Sequence, residues 1–112
     1  MECLRPLALI VVLAATLPAC QRKEPVPLPA GKVECFQCRM TIADPRFAAQ
    51  YHTPRGRVLF FDSVECASTW SRRPEGQGGK YYLHAFRDSS RWLDAEQAWI
   101  AEWEGIRSPM GK

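Results

Sequence analysis

The order of apolar and polar residues from position 47 onward predicts a β-hairpin. Residues 47–52 and 57–61 have strand composition, and the second run is almost continuously apolar, which favours a strand covered on both faces. Residues 53–56, Thr-Pro-Arg-Gly, lie between the two runs and are typical of a turn. We therefore expect the two runs to pair as a hairpin.

A helix is predicted directly after this hairpin. Asp62 is followed three residues later by Glu65, which is close to the capping-box pattern and makes Asp62 the expected N-cap. The helix is expected to end at Arg72 or Arg73, because cationic side chains suit the last turn and a stretch rich in Pro and Gly follows.

The remaining residues predict further strands. Residues 80–86 form a third strand, residues 92–93 a short extended piece, residues 94–98 one helical turn capped by Asp94, and residues 99–103 a last strand. The order β-β-α-β-β predicts an α+β fold, a small single unit with a ββαβ-like arrangement. The aromatic residues expected in its core are Phe60, Phe61, Trp70, Tyr81, Tyr82 and Trp99.

The N-terminal residues are typical of an export signal. The apolar run at 7–17 is too short to span a bilayer but suits the central region of a signal peptide. It ends in Leu-Pro-Ala-Cys, which resembles a bacterial lipobox. Residues 1–19 are therefore predicted to be a lipoprotein signal peptide and Cys20 the lipidated residue. The alternative is ordinary cleavage near Ala19, and either route places the mature protein outside the cytoplasm.

Residues 20–31 are predicted to be the lipidated cysteine and a tether. Three prolines in five positions favour extended polyproline II over a packed core. The folded domain is then expected over residues 32–112. Anchoring by lipid at Cys20 would place it in the cell envelope, facing the periplasm or the cell exterior.

Charge and cysteine count narrow the function. The chain has 15 basic and 12 acidic residues, interspersed, and no basic stripe of the kind that nucleic-acid binding needs. Three of its five cysteines, Cys35, Cys38 and Cys66, follow the predicted anchor. An odd number cannot pair fully within one chain in an oxidising compartment, so at least one free thiol is expected.

The stretch Cys-Phe-Gln-Cys-Arg-Met at 35–40 is the main candidate site. The pair Cys35 and Cys38 alone fits a disulfide, a redox pair or a metal site. A zinc site is conceivable if Cys66 and Asp62 complete the ligand set, although Cys66 reads more readily as a buried, inert thiol.

A thioether favours Cu(I), a soft ion that binds thiolate and thioether ligands. In an extended segment the side chains of Cys38 and Met40 would point the same way, so both sulfurs could face one ion. Met110, in a turn-like tail, is a candidate to close over that ion. His52 and His84 are read as structural or surface residues.

Several motifs, in this order, resemble the NosL family of copper-binding lipoproteins, which are accessory proteins of nitrous oxide reductase. The resemblance implies an α+β fold and a Cu(I) chaperone that delivers copper for assembly of that reductase or a related extracytoplasmic copper enzyme. It implies ligands centred on Cys38 and Met40, with Met110 a candidate third and Cys35 a candidate neighbour. The motifs are Cys-x-x-Cys-x-Met-x-Ile at 35–42, Phe-Ala-Ala-Gln at 47–50, Phe-Phe-Asp-Ser at 60–63, Trp-Leu-Asp-Ala at 92–95 and Ser-Pro-Met-Gly at 108–111.

The sequence departs from that family at two points. Arg39 stands where the family usually has glycine, and longer members continue past the Met-Gly with a second unit. No Ser-His-Asp set, phosphate loop or carboxylate pair is visible, so we do not expect an enzyme. The alternatives are a thiol–disulfide oxidoreductase that uses Cys35 and Cys38, and a structural lipoprotein in which these two residues form a disulfide.

Overall fold

The computed structural model describes residues 24–88, 90–101 and 104–111. Within them the chain forms a four-stranded antiparallel sheet and one α-helix, which confirms the predicted α+β fold. The strands are β1 (Ala49–His52), β2 (Val58–Phe61), β3 (Lys80–His84) and β4 (Trp92–Asp94); the helix is α1 (Val64–Ser71); short 3₁₀ turns span Pro45–Phe47 and Pro74–Gly76.

The sheet has the order β2-β1-β3-β4, so β1 lies between the two strands with which it pairs. The predicted hairpin is confirmed, with Tyr51 opposite Leu59 on β2 and Tyr81 on β3. Tyr51 and Phe61 are fully buried in the core. Burial of an aromatic side chain of this size contributes roughly 1.5–3 kcal/mol to stability, so these two residues anchor a small core.

Helix α1 begins one residue later than predicted. Its N-cap is Ser63, whose Oγ accepts a hydrogen bond from the Cys66 backbone N–H at 3.2 Å. The prediction of Asp62 as the cap was therefore wrong, because the serine hydroxyl already satisfies that donor. The helix lies against β1 and β2 and buries Cys66 and Ala67. Asp62 is left free to take another role.

Part of the proline-rich segment belongs to the folded unit. The side-chain amide of buried Gln50 both accepts from the Val26 N–H and donates to the Val26 carbonyl oxygen, each at 2.9 Å. Leu28 packs against the core, and the Gly31 N–H donates to the Ile42 carbonyl oxygen at 2.7 Å. From Val26 onward, this segment is bound to the domain.

The end of the chain differs from the prediction. Residues 94–97 form a hydrogen-bonded turn in which the Asp94 carboxylate accepts from the Glu96 N–H at 3.0 Å, as its predicted capping role requires. The described residues that follow, 98–101, form no strand, and Trp99 is 96% exposed. The prediction of Trp99 as a core residue was wrong, since the described residues around it form no strand that would bring it against the sheet. The other predicted core aromatics are buried or pack against the core.

The predicted signal peptide and Cys20 lie outside the described residues. Among the described residues, no helix has the length and apolar character needed to cross a membrane.

Candidate metal centre

A tight turn holds the two neighbouring thiols. We call residues 35–40 the knuckle. The Cys35 N–H donates to the Met40 carbonyl oxygen at 2.8 Å, the Arg39 N–H donates to the Cys35 carbonyl oxygen at 2.9 Å, and the Cys38 N–H points at the Cys35 sulfur at 3.5 Å. Arg39 has a φ of 67°, the left-handed conformation that such a reversal requires. The knuckle therefore folds its two sulfurs toward one side.

The end of β2 and the start of α1 form the opposite wall. The Phe36 N–H donates to the Phe60 carbonyl oxygen at 2.8 Å, which fixes the knuckle to β2. Asp62 follows that strand directly, and Cys66 lies in the first turn of the helix that Ser63 caps. The nonlocal backbone bond thus brings residues 35–38 to residues 62–66.

These two walls form a cluster of four potential ligands, which we call the thiol cluster. One ligand atom from each of Cys35, Cys38, Asp62 and Cys66 lies within 4.8 Å of all the others. Cys35, Asp62 and Cys66 are buried, Cys38 is half-buried, and all three cysteines are free thiols. Metal–sulfur bonds are about 2.3 Å long in zinc sites, so a small inward movement would bring such a group to bonding distance.

The polar atoms of the cluster are only partly satisfied. The Cys38 thiol donates to Asp62 Oδ2 at 3.4 Å. Asp62 Oδ1 is buried and has no hydrogen-bond partner among the described residues. A buried carboxylate oxygen without a partner is costly, and a cation in the cluster would satisfy it.

The environment raises the pKa of two of the thiols, Cys38 and Cys66. Burial is the main factor that raises the pKa of Cys38, although the Met40 backbone N–H facing its sulfur partly opposes this. Burial likewise raises the pKa of Cys66, with Asp62 adding to the effect. A metal that binds these sulfurs as thiolates must displace their protons, so binding strengthens as pH rises. Redox nucleophiles need a lowered pKa, so this environment does not favour the oxidoreductase alternative.

Met110 lies beside the cluster. A cavity of about 230 Å³ is lined by Gln37, Cys38, Glu65, Cys66, Thr69 and Met110. The Ser108 hydroxyl donates to Glu65 Oε1 at 2.7 Å and so ties the C-terminal tail to helix α1. Met110 remains 43% exposed, at a position where its thioether borders the same space as two of the thiols.

Met40 is placed differently. Its side chain is 54% exposed and is not among the residues that line the cavity. The expectation that Cys38 and Met40 point the same way assumed an extended segment, and this assumption was wrong because Arg39 reverses the chain. Coordination by Met40 stays a prediction.

The two histidines lie outside the thiol cluster. His52 Nε2 is 2.6 Å from Gln50 Oε1, and His84 is buried with its ring edge-on to Trp92 at a centroid distance of 4.5 Å. Both contacts fit the structural reading.

Asp62 and Cys66 both belong to the thiol cluster, whereas the sequence alone favoured a helix cap and a buried, inert thiol for them. Asp62 directly follows a buried strand, and Cys66 lies four residues later, in the first turn of the next helix. That spacing, combined with a Cys pair elsewhere in the chain, was the signal that could have identified the full cluster.

Comparison with protein-family models matches residues 25–112 to the model described as NosL. Neither the search of curated proteins nor the search of solved structures gave a significant match.

Proposed function

This chain belongs to the NosL family, and on that premise we propose that it is a membrane-anchored Cu(I)-binding chaperone. It delivers copper for the assembly of nitrous oxide reductase or a related extracytoplasmic copper enzyme. The observation that carries the proposal is the thiol cluster, in which three sulfur atoms and one carboxylate oxygen lie within 4.8 Å of one another.

The ligand types suit Cu(I) as a cargo. Thiolate and thioether sulfur select soft ions, and the cluster offers three thiols with the thioether of Met110 at the edge of the cavity. The buried thiols Cys35 and Cys66 would retain the ion, whereas half-buried Cys38 and exposed Met110 would be reached first by an acceptor. Release then proceeds by exchange of one ligand at a time, without free copper.

Membrane attachment is the second part of the proposal. The Ala19-Cys20 junction after an apolar run supports lipidation of Cys20, and export would place the domain at the outer face of the cytoplasmic membrane. The copper acceptor, or its assembly machinery, is the expected partner.

A structural zinc site is the second candidate function. The observation that favours it is Asp62, because an oxygen ligand suits Zn²⁺ better than Cu(I), and three cysteines with one aspartate make a complete tetrahedral set. In this case Met110 would play no part in metal binding.

Anaerobic titration of the reduced protein with Cu(I), against a chromophoric chelator, tests the copper proposal. We expect one tightly bound Cu(I), and a loss of affinity of at least about tenfold in Cys66→Ser, because a buried ligand is removed. Met110→Leu should still bind Cu(I) but release it faster to the chelator. Met40→Leu tests the predicted coordination by Met40, whose side chain is exposed and lies outside the cavity.

Parallel titration with Zn²⁺ separates the two candidates. A structural zinc site predicts tight Zn²⁺ binding that Asp62→Asn weakens strongly and Met110→Leu leaves unchanged. Failure of the wild-type protein to compete with the chelator for Cu(I) would end the copper proposal.

A further inference from the structure

We propose that three arginines beside the thiol cluster form a docking surface for an acidic partner protein that exchanges metal with this site. We call Arg39, Arg57 and Arg73 the arginine rim. The inference rests on the proposed function, because it identifies the chemistry of the surface that a copper acceptor presents.

The rim is organised by Phe36 of the knuckle. The Arg39 guanidinium carbon lies 4.9 Å from the centre of the Phe36 ring, and that of Arg57 lies 5.9 Å from it. Both distances are in the range of cation–π contacts. One aromatic ring therefore holds two cationic groups from separate parts of the chain.

Trp70 of helix α1 extends this surface. Its ring meets Phe36 edge-on at a centroid distance of 5.0 Å, and the Arg73 guanidinium carbon lies 5.2 Å from the Trp70 ring centre. Two contacting aromatic rings thus carry three guanidinium groups in one continuous patch.

The patch lies against the same core as the thiols. Phe36 lies between Cys35 and Cys38 in the knuckle, and Phe36, Cys38 and Trp70 all pack against the buried cluster that contains Cys35 and Cys66. A partner that brings a metal ligand to the half-buried Cys38 sulfur is therefore expected to meet this rim.

The rim carries unbalanced positive charge. All three arginines are exposed, and within the described ranges no carboxylate forms a salt bridge with them. Of the two acidic residues at the thiol cluster and its cavity, Asp62 is buried and Glu65 accepts from Ser108, while exposed Glu34 and Glu75 form no salt bridge with the rim among the described residues. By contrast, Arg46 pairs with Asp44 at 2.7 Å.

Stacking leaves these guanidinium groups available to a partner. A ring occupies the face of a guanidinium, whereas its N–H groups point outward in its plane and can bind a carboxylate in bidentate fashion. An acidic protein surface is the partner that fits, since it supplies carboxylates and a metal ligand together. An anionic lipid surface supplies only the charge.

The test uses two synthetic Cu(I) acceptor peptides with the same Cys-Ala-Ala-Cys pair, flanked by Asp and Glu in one and by Asn and Gln in the other. We expect the loaded wild-type protein to transfer Cu(I) to the acidic peptide about tenfold faster at low ionic strength, because opposite charges steer the encounter. The difference should shrink as salt is added.

Variants assign the effect to the rim. The double variant Arg57→Gln, Arg73→Gln should lose most of the preference for the acidic peptide while binding Cu(I) with unchanged stoichiometry; Arg39 is kept because it belongs to the knuckle. The corresponding double Lys variant should keep most of the preference. Arg46→Gln is the matched control, because it removes one guanidinium that a carboxylate already neutralises.

Three results would overturn the proposal. The first is equal transfer rates to both peptides in the wild type, and the second is an Arg46→Gln effect as large as that of the rim variant. The third is a rim variant that no longer sediments with phosphatidylglycerol vesicles but still prefers the acidic peptide. If the wild type holds no Cu(I), the proposed function fails by itself. The rim is then decided by fluorescence anisotropy of labelled peptides with Ser in place of Cys, where the acidic one should bind more tightly.

Discussion

At the scale of single residues, Arg39 shows what the knuckle demands of the backbone. Its φ of 67° lies in the left-handed region, which is strained for any residue with a Cβ atom but not for glycine. The conformation turns the Met40 N–H toward the Cys38 sulfur, so the cost is tied to the site. The family resemblance expects glycine here, and the guanidinium contact with Phe36 gives a reason for arginine.

We predict that Arg39→Gly is more stable than Arg39→Ala by about 1 kcal/mol, because both variants lose the Phe36 contact but only alanine retains the backbone strain. Urea unfolding of the metal-free, reduced protein measures the difference. Equal midpoints for the two variants, or a more stable alanine variant, would show that the knuckle does not impose this conformation in solution.

At the scale of secondary-structure elements, the start of helix α1 links capping to the site. Ser63 accepts a hydrogen bond from the Cys66 N–H, so the same bond caps the start of the helix and orients the residue that carries the third thiol. Asp62, freed from capping, turns its carboxylate to Cys38 instead. One wall of the thiol cluster therefore depends on two adjacent residues, Ser63 as the helix cap and Asp62 as the partner of Cys38.

Ser63→Ala should destabilise the protein by about 1 kcal/mol, since it leaves the Cys66 N–H without its capping acceptor. It should also lower Cu(I) affinity, although Ser63 is not a ligand. Thermal unfolding and chelator competition measure the two effects. Ser63→Thr, which keeps a capping hydroxyl at this fully buried position, is the control and should recover most of the stability. An unchanged Cu(I) affinity in Ser63→Ala would show that the cap does not position the metal ligands.

At the scale of the whole molecule, Gln50 fastens the N-terminal segment to the sheet. Its buried amide makes two hydrogen bonds to Val26, in the manner of a neighbouring strand, from the centre of the domain. The family match also begins here, at residue 25. The compact unit therefore includes residues that composition alone assigns to a spacer.

Replacing Gln50 with Leu should release this segment, because the side chain keeps its size but loses both hydrogen bonds. Hydrogen exchange at the Val26 amide should accelerate at least about tenfold, as expected when a locally bound segment opens. Gln37→Leu applies the same substitution to a residue whose Oε1 has no partner among the described residues, and it should leave Val26 protected. Similar exchange in all three proteins would contradict the docking.

The sequence predicted those features that depend on local pattern. The pattern of apolar and turn residues predicted the hairpin, and the Cys pair predicted two of the thiols of the cluster. Several motifs in a fixed order identified the family. The full cluster was out of reach because it depends on the bond from the Phe36 N–H to the Phe60 carbonyl, which joins residues 24 positions apart. The prediction that Trp99 belongs to the core was wrong for a similar reason, because an apolar residue is buried only where the fold provides a surface to pack against.

The docking of Val26 also limits how far the site can travel. With Cys20 as the proposed lipid attachment, only six residue steps separate the membrane from the domain, a span of at most about 20 Å when fully extended. The thiols would then search a thin layer of space rather than the bulk compartment. Acceptors held in that layer would meet copper at a high effective concentration, whereas soluble acceptors would have to come to the membrane.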